Sequence, residues 1–295
     1  NQSPRVGFVL IPGDLTKDGE LRSHERMAAQ LARLERGGIQ VFVVPGNHDI
    51  ANPEAKGYNE AGSFPVPNIS AAQFSEIYGD FGYNQAFAKD SASLSYISEP
   101  GPGVWLFAVD SCRYLENTSD LHQVGGRIHP TTLRWLNENL ELAKQNNIKV
   151  IGMLHHGLTE HFLGQGEYFS DFLIEDWPEV SHQLAMAGLN LVFTGHFHAQ
   201  DVTRSDWADG SFVVDVETAS TATFPNSYRI ATLKVAESEL QLESHKIQNI
   251  PEGFNSGSFV NLPDLALDFS TRMLTLNIAG VLAQQLNLPQ TKIAQ

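Results

Sequence analysis

The sequence predicts an α/β fold, and three observations carry that reading. Short apolar runs alternate with segments of helical period, the connections between them are brief, and several apolar runs end in polar clusters. Val6 to Ile11 is an apolar run closed by Pro12-Gly13, which predicts a buried strand and its turn. From Glu20 to Arg36 the positions Met27, Ala28, Leu31 and Leu34 repeat at three and four, and Gly37-Gly38 ends that helix. Ile39 to Val44 is a second apolar run. Strand, helix and strand with short links form the unit from which parallel sheets are built.

Residues 50 to 70, rich in Asn, Pro, Gly and Ser, read as a long loop, and Ser70 with Gln73 fits a capping box opening the next helix. Ser93 to Ser98 and Val104 to Val109 read as strands. Pro130 opens a helix through Gln145 with Leu133, Leu136, Leu140 and Ala143 on one face. Lys149 to Leu154 is a strand, Asp176 to Ala187 a helix, and Leu189 to Thr194 a strand again. After that, Ser211 to Val216, Tyr228 to Val235 and Glu239 to Ile247 predict successive strands without helices, so the α/β core is expected to finish in a mostly antiparallel sheet. Residues 251 to 264 read as a linker and Leu265 to Leu286 as a helix. The domain expectation is therefore one body over residues 1–250, with linker and helical extension over 251–295.

Composition narrows the function classes. With 34 acidic against 19 basic residues and a formal charge of −15, the chain has no strong nucleic-acid footprint, because phosphate backbones are held by clustered Lys and Arg. Phosphate chemistry on such a chain needs a local positive charge, and eleven His hint that bound metal supplies it. Cys112 is the single cysteine, which excludes an intramolecular disulfide and a thiolate zinc cluster. No apolar run reaches the roughly 18 to 20 residues that span a bilayer; Met273 to Leu288 is broken by Asn277, Gln284 and Gln285.

Four polar clusters sit where apolar strands end: Gly13-Asp14, Gly46-Asn47-His48-Asp49, His155-His156, and Gly195-His196-Phe197-His198. Singly, a Gly-Asp after a strand is most simply a turn, and a His-His pair is half surface and half core. Together they fit one site, since ligands of open α/β sheets bind beyond the carboxyl ends of the strands. Carboxylate, amide oxygen and imidazole without thiolate suit a divalent transition metal that also holds hard phosphate oxygens. Asp14 is placed to bridge two such ions about 4 Å apart.

In order and spacing these strings, beginning with Gly13-Asp14-Leu15-Thr16-Lys17-Asp18-Gly19-Glu20, resemble the calcineurin-like metallophosphoesterases over about residues 5 to 235. The acidic stretch after Gly13-Asp14, and Asp110-Ser111, are similar to the bacterial cyclic-nucleotide phosphodiesterase-like branch. The resemblance implies a four-layer α/β/β/α sandwich of the metallophosphoesterase type. It also implies an enzyme that hydrolyses a small phosphate ester, diester or monoester, by a metal-activated hydroxide. It implies two divalent metal ions, Fe, Mn, Zn or similar: one held by Asp14, Asn47, His155 and His196, the other sharing Asp14 and taking His198. By the same resemblance His48 is the catalytic imidazole, oriented by Asp49, while His156 lines the pocket. His161 and Tyr168, in the loop beyond, are candidates to touch substrate. His24, His182 and Trp105 are read as structural, and Arg229 and Thr218 as weak candidates for phosphate contact. Relatives of this kind often carry a signal segment, which leans the expectation towards an exported bacterial protein.

One departure stands out. The family's first motif, Asp-x-His at the end of the first strand, is expected upstream of Gly13-Asp14, yet none of the thirteen residues before Asp14 is His or Asp. The expectation is that this strand lies in sequence preceding the chain. Asp120-Leu121-His122 matches the letters but falls between the second and third clusters. The missing motif motivates one alternative, a non-catalytic binding or scaffold protein on the same fold; the intact downstream ligand set argues against it. A zinc peptide hydrolase is disfavoured by the absence of His-Glu-x-x-His.

Overall fold

The computed structural model describes residues 6–248, together with Leu267 and Thr271. The described chain forms two compact units, residues 6–197 with 201–217, and residues 198–200 with 218–248. The expected linker and the helix from Leu265 to Leu286 fall almost wholly outside the described residues.

The first unit begins with β1 (Phe8–Ile11), α1 (Leu21–Arg36) and β2 (Gln40–Val43), with β1 and β2 parallel. This is the strand, helix, strand unit expected. Residues 50 to 70, read as a loop, instead contain a small hairpin, β3 (Lys56–Asn59) and β4 (Gly62–Pro65). Its strands are largely exposed, so no alternation of apolar and polar residues marked them. Helix α2 (Ala71–Ile77) carries the expected capping box: Gln73 N–H donates to Ser70 Oγ at 3.3 Å, and Ser70 N–H to Gln73 Oε1 at 3.0 Å.

The main sheet has seven strands: β5 (Ala88–Lys89), β6 (Tyr96–Gly101), β7 (Val104–Val109), β8 (Lys149–Leu154), β9 (Leu191–Thr194), β10 (Asp201–Asp206) and β11 (Phe212–Glu217). They lie in the order β10-β11-β9-β8-β7-β6-β5, with β7, β8, β9 and β11 parallel to their neighbours in that run. Helices α3 (Pro130–Gln145) and α5 (Trp177–Ala187), with the short α4 (Gln165–Tyr168) between them, complete the unit. Strand β11 was expected in a separate antiparallel sheet. It joins the main sheet beside β9, and the exposed, polar β10, missed in the sequence, is its antiparallel edge.

The period-2 pattern of β7 divides the layers. Phe107 and Val109 face Leu136 and Leu140 of α3 and Leu184 of α5 in one core. On the opposite side the buried Tyr96 reaches the other sheet, its hydroxyl donating to the Val43 carbonyl at 2.9 Å. With α1 packed on β2, the first unit is layered helix, sheet, sheet, helix, and the α/β fold class is as expected. Each fully buried Leu in the outer core contributes about 2 kcal/mol of hydrophobic stabilisation.

The second unit contains an antiparallel pair, β12 (Ser227–Lys234) and β13 (Glu239–Lys246). Arg229 on β12 donates to Ser244 Oγ at 3.0 Å within that pair. Among the described residues no helix is long and apolar enough to cross a membrane.

Candidate metal centre

The clusters meet because parallel strands end on the same side. Asp14 follows β1, Asn47 and His48 follow β2, His155 follows β8 and His196 follows β9. Their loops are pressed together. A Cβ on Gly46 would stand 2.1 Å from Asp14 Oδ1, and one on Gly13 2.6 Å from both the Gly46 Cα and His155 Nδ1. Asp14 and His196 hold left-handed backbone, φ 54° and 68°, which turns each side chain sharply off the end of its strand.

Around His155 Nε2 lie Asn47 Oδ1 at 3.0 Å, His196 Nδ1 at 3.1 Å and Asp14 Oδ2 at 3.4 Å. The proton positions follow from the other ring nitrogens. His155 Nδ1 lies 2.7 Å from the Pro12 carbonyl and His196 Nε2 3.1 Å from the Asp171 carbonyl; a carbonyl only accepts, so these two nitrogens carry the protons. His155 Nε2 and His196 Nδ1 thus face each other together with the Asn47 and Asp14 oxygens. The Asn47 amide sharpens the point. Its Nδ2 is buried without a hydrogen-bond partner while its oxygen faces the imidazole, the reverse of what hydrogen bonding alone would choose. A divalent cation satisfies this donor set, so the residues present fit a metal ion.

His198 belongs to the second unit, where its Nδ1 lies 3.4 Å from Thr223 Oγ1 and its φ is 60°.

His48 stands beside this group: its backbone N–H donates to Asp14 Oδ1 at 3.2 Å. Its ring pairs with Asp18 rather than Asp49, with Nδ1 3.3 Å from Asp18 Oδ1. This corrects the orienting role expected of Asp49. The Asp49 carboxylate is filled by donors from Leu15 N, Thr16 N, Thr16 Oγ1 and Gly46 N at 2.9 to 3.1 Å, so it ties the Asp14 loop to the Asn47 loop. Burial, then the Asp14 charge, push its pKa up to about 6. The sequence missed Asp18 because a turn residue four places after Asp14 has no periodic signature.

Two pocket expectations also change. His156 is fully buried, with Nε2 donating to the Val124 carbonyl and Nδ1 accepting from Ser111 Oγ, both at 2.8 Å. Burial, and then the neighbouring His155, lower its pKa to about 3. Both ring nitrogens are taken, so it buttresses His155 and His196, whose rings lie 5.0 and 4.6 Å away, instead of lining a pocket. His161 is likewise turned inward, its ring 2% exposed and set among Asp201, Asp215 and Glu217 at 2.9, 3.6 and 3.7 Å. His122 spends Nε2 on the Asn47 carbonyl at 2.8 Å, and Asp120 is exposed. His24 and His182 are structural as expected: the first is buried against Tyr78, the second stacks on Trp207.

The family model of the calcineurin-like phosphoesterases matches residues 1–200. The chain belongs to this family. Among solved structures it is similar to a dimetal phosphatase from Danio rerio, at 15% identity and a TM-score of 0.52, over 82% of this chain and 81% of that one. At that identity the likeness shows the fold. No curated protein matches the chain. Membership in the phosphoesterases and the converging donor set agree on a metal-dependent hydrolase of phosphate esters.

Proposed function

We propose that this phosphoesterase hydrolyses a small phosphodiester, with monoesters as the weaker class, using two divalent ions of the Fe, Mn or Zn kind. The convergence of donor atoms from Asp14, Asn47, His155 and His196 is the observation that carries the reading. These residues would hold one ion, and Asp14 would also contribute to the other. When bound, the metal pair supplies positive charge to the phosphate oxygens and a nucleophilic water. The chain's own residues do the rest. Asp18, buried and pinned by Lys17, holds Nδ1 of His48, which leaves Nε2 to carry the proton for the departing alkoxide. Asp49 and the Gly13 and Gly46 close contacts keep the loops in register so that the donors stay aimed. The preference for diesters rests on the resemblance of the Gly13 to Glu20 stretch.

Elemental analysis after loading with Mn²⁺ or Zn²⁺, run beside product release from paired alkyl diesters and monoesters, tests this. Metal bound by the wild type, lost in Asn47→Ala, and turnover greater on diesters is the expected result. Metal-loaded protein that turns over neither class would make it a binding protein on the same fold and overturn the reading.

A further inference from the structure

The loop after His155 carries a feature the metal centre does not use. Phe162, Phe169, Phe172 and Phe197 form one network of ring contacts, with centroids 4.7 to 6.3 Å apart. It runs up to the metal centre: Phe172 lies 4.8 Å from the His196 ring, and the Asp171 carbonyl next to it takes the His196 proton. Phe162 and Phe169 are 41% and 45% exposed. Rings left in water at the edge of a polar centre mark a place where something apolar docks.

The loop holds them there before any ligand arrives. His161 N donates to Gln165 Oε1 and Gly166 N to Glu160 Oε1, both at 2.7 Å, while the His161 ring is clamped by Asp201 and Gly157 N bonds the Phe172 carbonyl. A fixed wall loses little entropy when it binds. Charge narrows the occupant. Residues 155–172 contain no Lys or Arg but include Glu160, Glu167 and Asp171, a poor setting for a substrate with several phosphates.

We infer that this aromatic wall is the subsite for the alcohol portion of the substrate, and that the alcohol carries a flat apolar or aromatic group on an ester with a single phosphate. The inference rests on the phosphoesterase reading and names its substrate class. Phosphonates that cannot be hydrolysed separate the two. Calorimetric titration of metal-loaded protein with 2-phenylethylphosphonate and with ethylphosphonate compares ligands that share a phosphonate group and differ in the ring. The phenyl probe is expected to bind about tenfold tighter, the factor one stacked ring supplies. In Phe162→Ala/Phe169→Ala that ratio is expected to fall to within about twofold. Should the double variant melt early, Phe162→Ala alone is expected to lower the ratio in the same direction. Equal affinities in the wild type, a ratio that survives truncation of the wall, or a wild-type dimer that the truncation dissolves would each overturn the subsite. If neither phosphonate nor inorganic phosphate binds the metal-loaded protein, the phosphoesterase reading fails first.

Discussion

Two clusters in the first unit are each built around an inward-turned histidine and differ in what surrounds its ring. Around His155 the outer ring nitrogens of His155 and His196 donate to backbone carbonyls, and the inner nitrogens converge with the Asn47 and Asp14 oxygens on the candidate metal site. Around His161 the neighbours are carboxylates on both sides of the ring, and the histidine itself is the cation. Burial alone would lower the pKa of His161; the pull of Asp215, with Asp201 and Glu217, outweighs it and raises the pKa to about 9. The two rings differ in their partners: a backbone oxygen holds one nitrogen of His155, whereas carboxylates face both nitrogens of His161.

The comparison breaks most sharply at Gly46. A methyl there collides with Asp14 Oδ1 at 2.1 Å and with the Asp14 backbone nitrogen at 2.2 Å, so Gly46→Ala should displace the Asp14 turn and with it the carboxylate from the donor set. Metal affinity is expected to fall by at least about 100-fold, at the upper end of losses for a supporting residue. Titration with Mn²⁺, with far-ultraviolet dichroism as the folding control, checks it. Unchanged affinity would mean that Asp14 is not a ligand.

His48 tests whether the proton-handling group is separable from the metal centre. His48→Ala should retain metal yet lower kcat by about 10² to 10⁴ on esters with poor leaving groups, and far less on activated aryl esters. Asp18→Asn should act in the same direction with a smaller loss and a displaced pH profile, because it works only through the His48 ring. An equal loss on both ester types in His48→Ala would reduce that residue to a packing role.

Much of this was legible in the sequence, for reasons that also explain what was not. Helix α3 was bounded correctly because one face is buried and writes a helical period into the sequence, and strands β7 and β8 because burial on both faces writes a continuous apolar run. The candidate donors Asp14, Asn47, His155 and His196 stand out in the sequence because each follows a strand, a position that sequence order reveals. Asp49 and His161 were misplaced because their partners lie in other loops or strands. Asp49 is committed to Leu15, Thr16 and Gly46, and His161 to Asp201 and Asp215, 40 and 54 positions further on. Chain proximity put Asp49 beside His48 and hid Asp18.

Stability against pH probes the other half of the comparison. The folded pKa of His161, about 9, exceeds the unfolded value near 6.5, so its contribution is fully present below about pH 6.5 and is lost as pH rises through about 9. Its size is about 3 kcal/mol. Urea unfolding of the wild type at pH 6 and pH 10 should show that loss, while His161→Gln should lack it. A wild type and variant with parallel pH dependence would show that the ring is neutral in the fold.

The smallest effect asks how the acid cage shares its charge. Asp215 is held by His161 on one side and, on the other, accepts from Thr194 Oγ1 at 2.6 Å and from Leu158 N and Thr159 N at 2.7 and 3.3 Å. Every donor to this carboxylate stabilises its negative charge without help from the imidazolium. Thr194→Val removes one donor while keeping the shape of the side chain, and should cost about 1.5 to 3 kcal/mol, as expected for a hydrogen bond to a charged group. The Asp215 charge would then lean more on His161, so the imidazole pKa should rise further above about 9, a shift that nuclear magnetic resonance titration of the ring reads directly. The metal centre supplies the control. Thr194 precedes Gly195 and His196 in the chain, but its hydroxyl points into the His161 cage, so metal affinity should be unchanged. A loss of metal binding with no change in the His161 titration would mean that the two clusters are coupled through β9 and not independent.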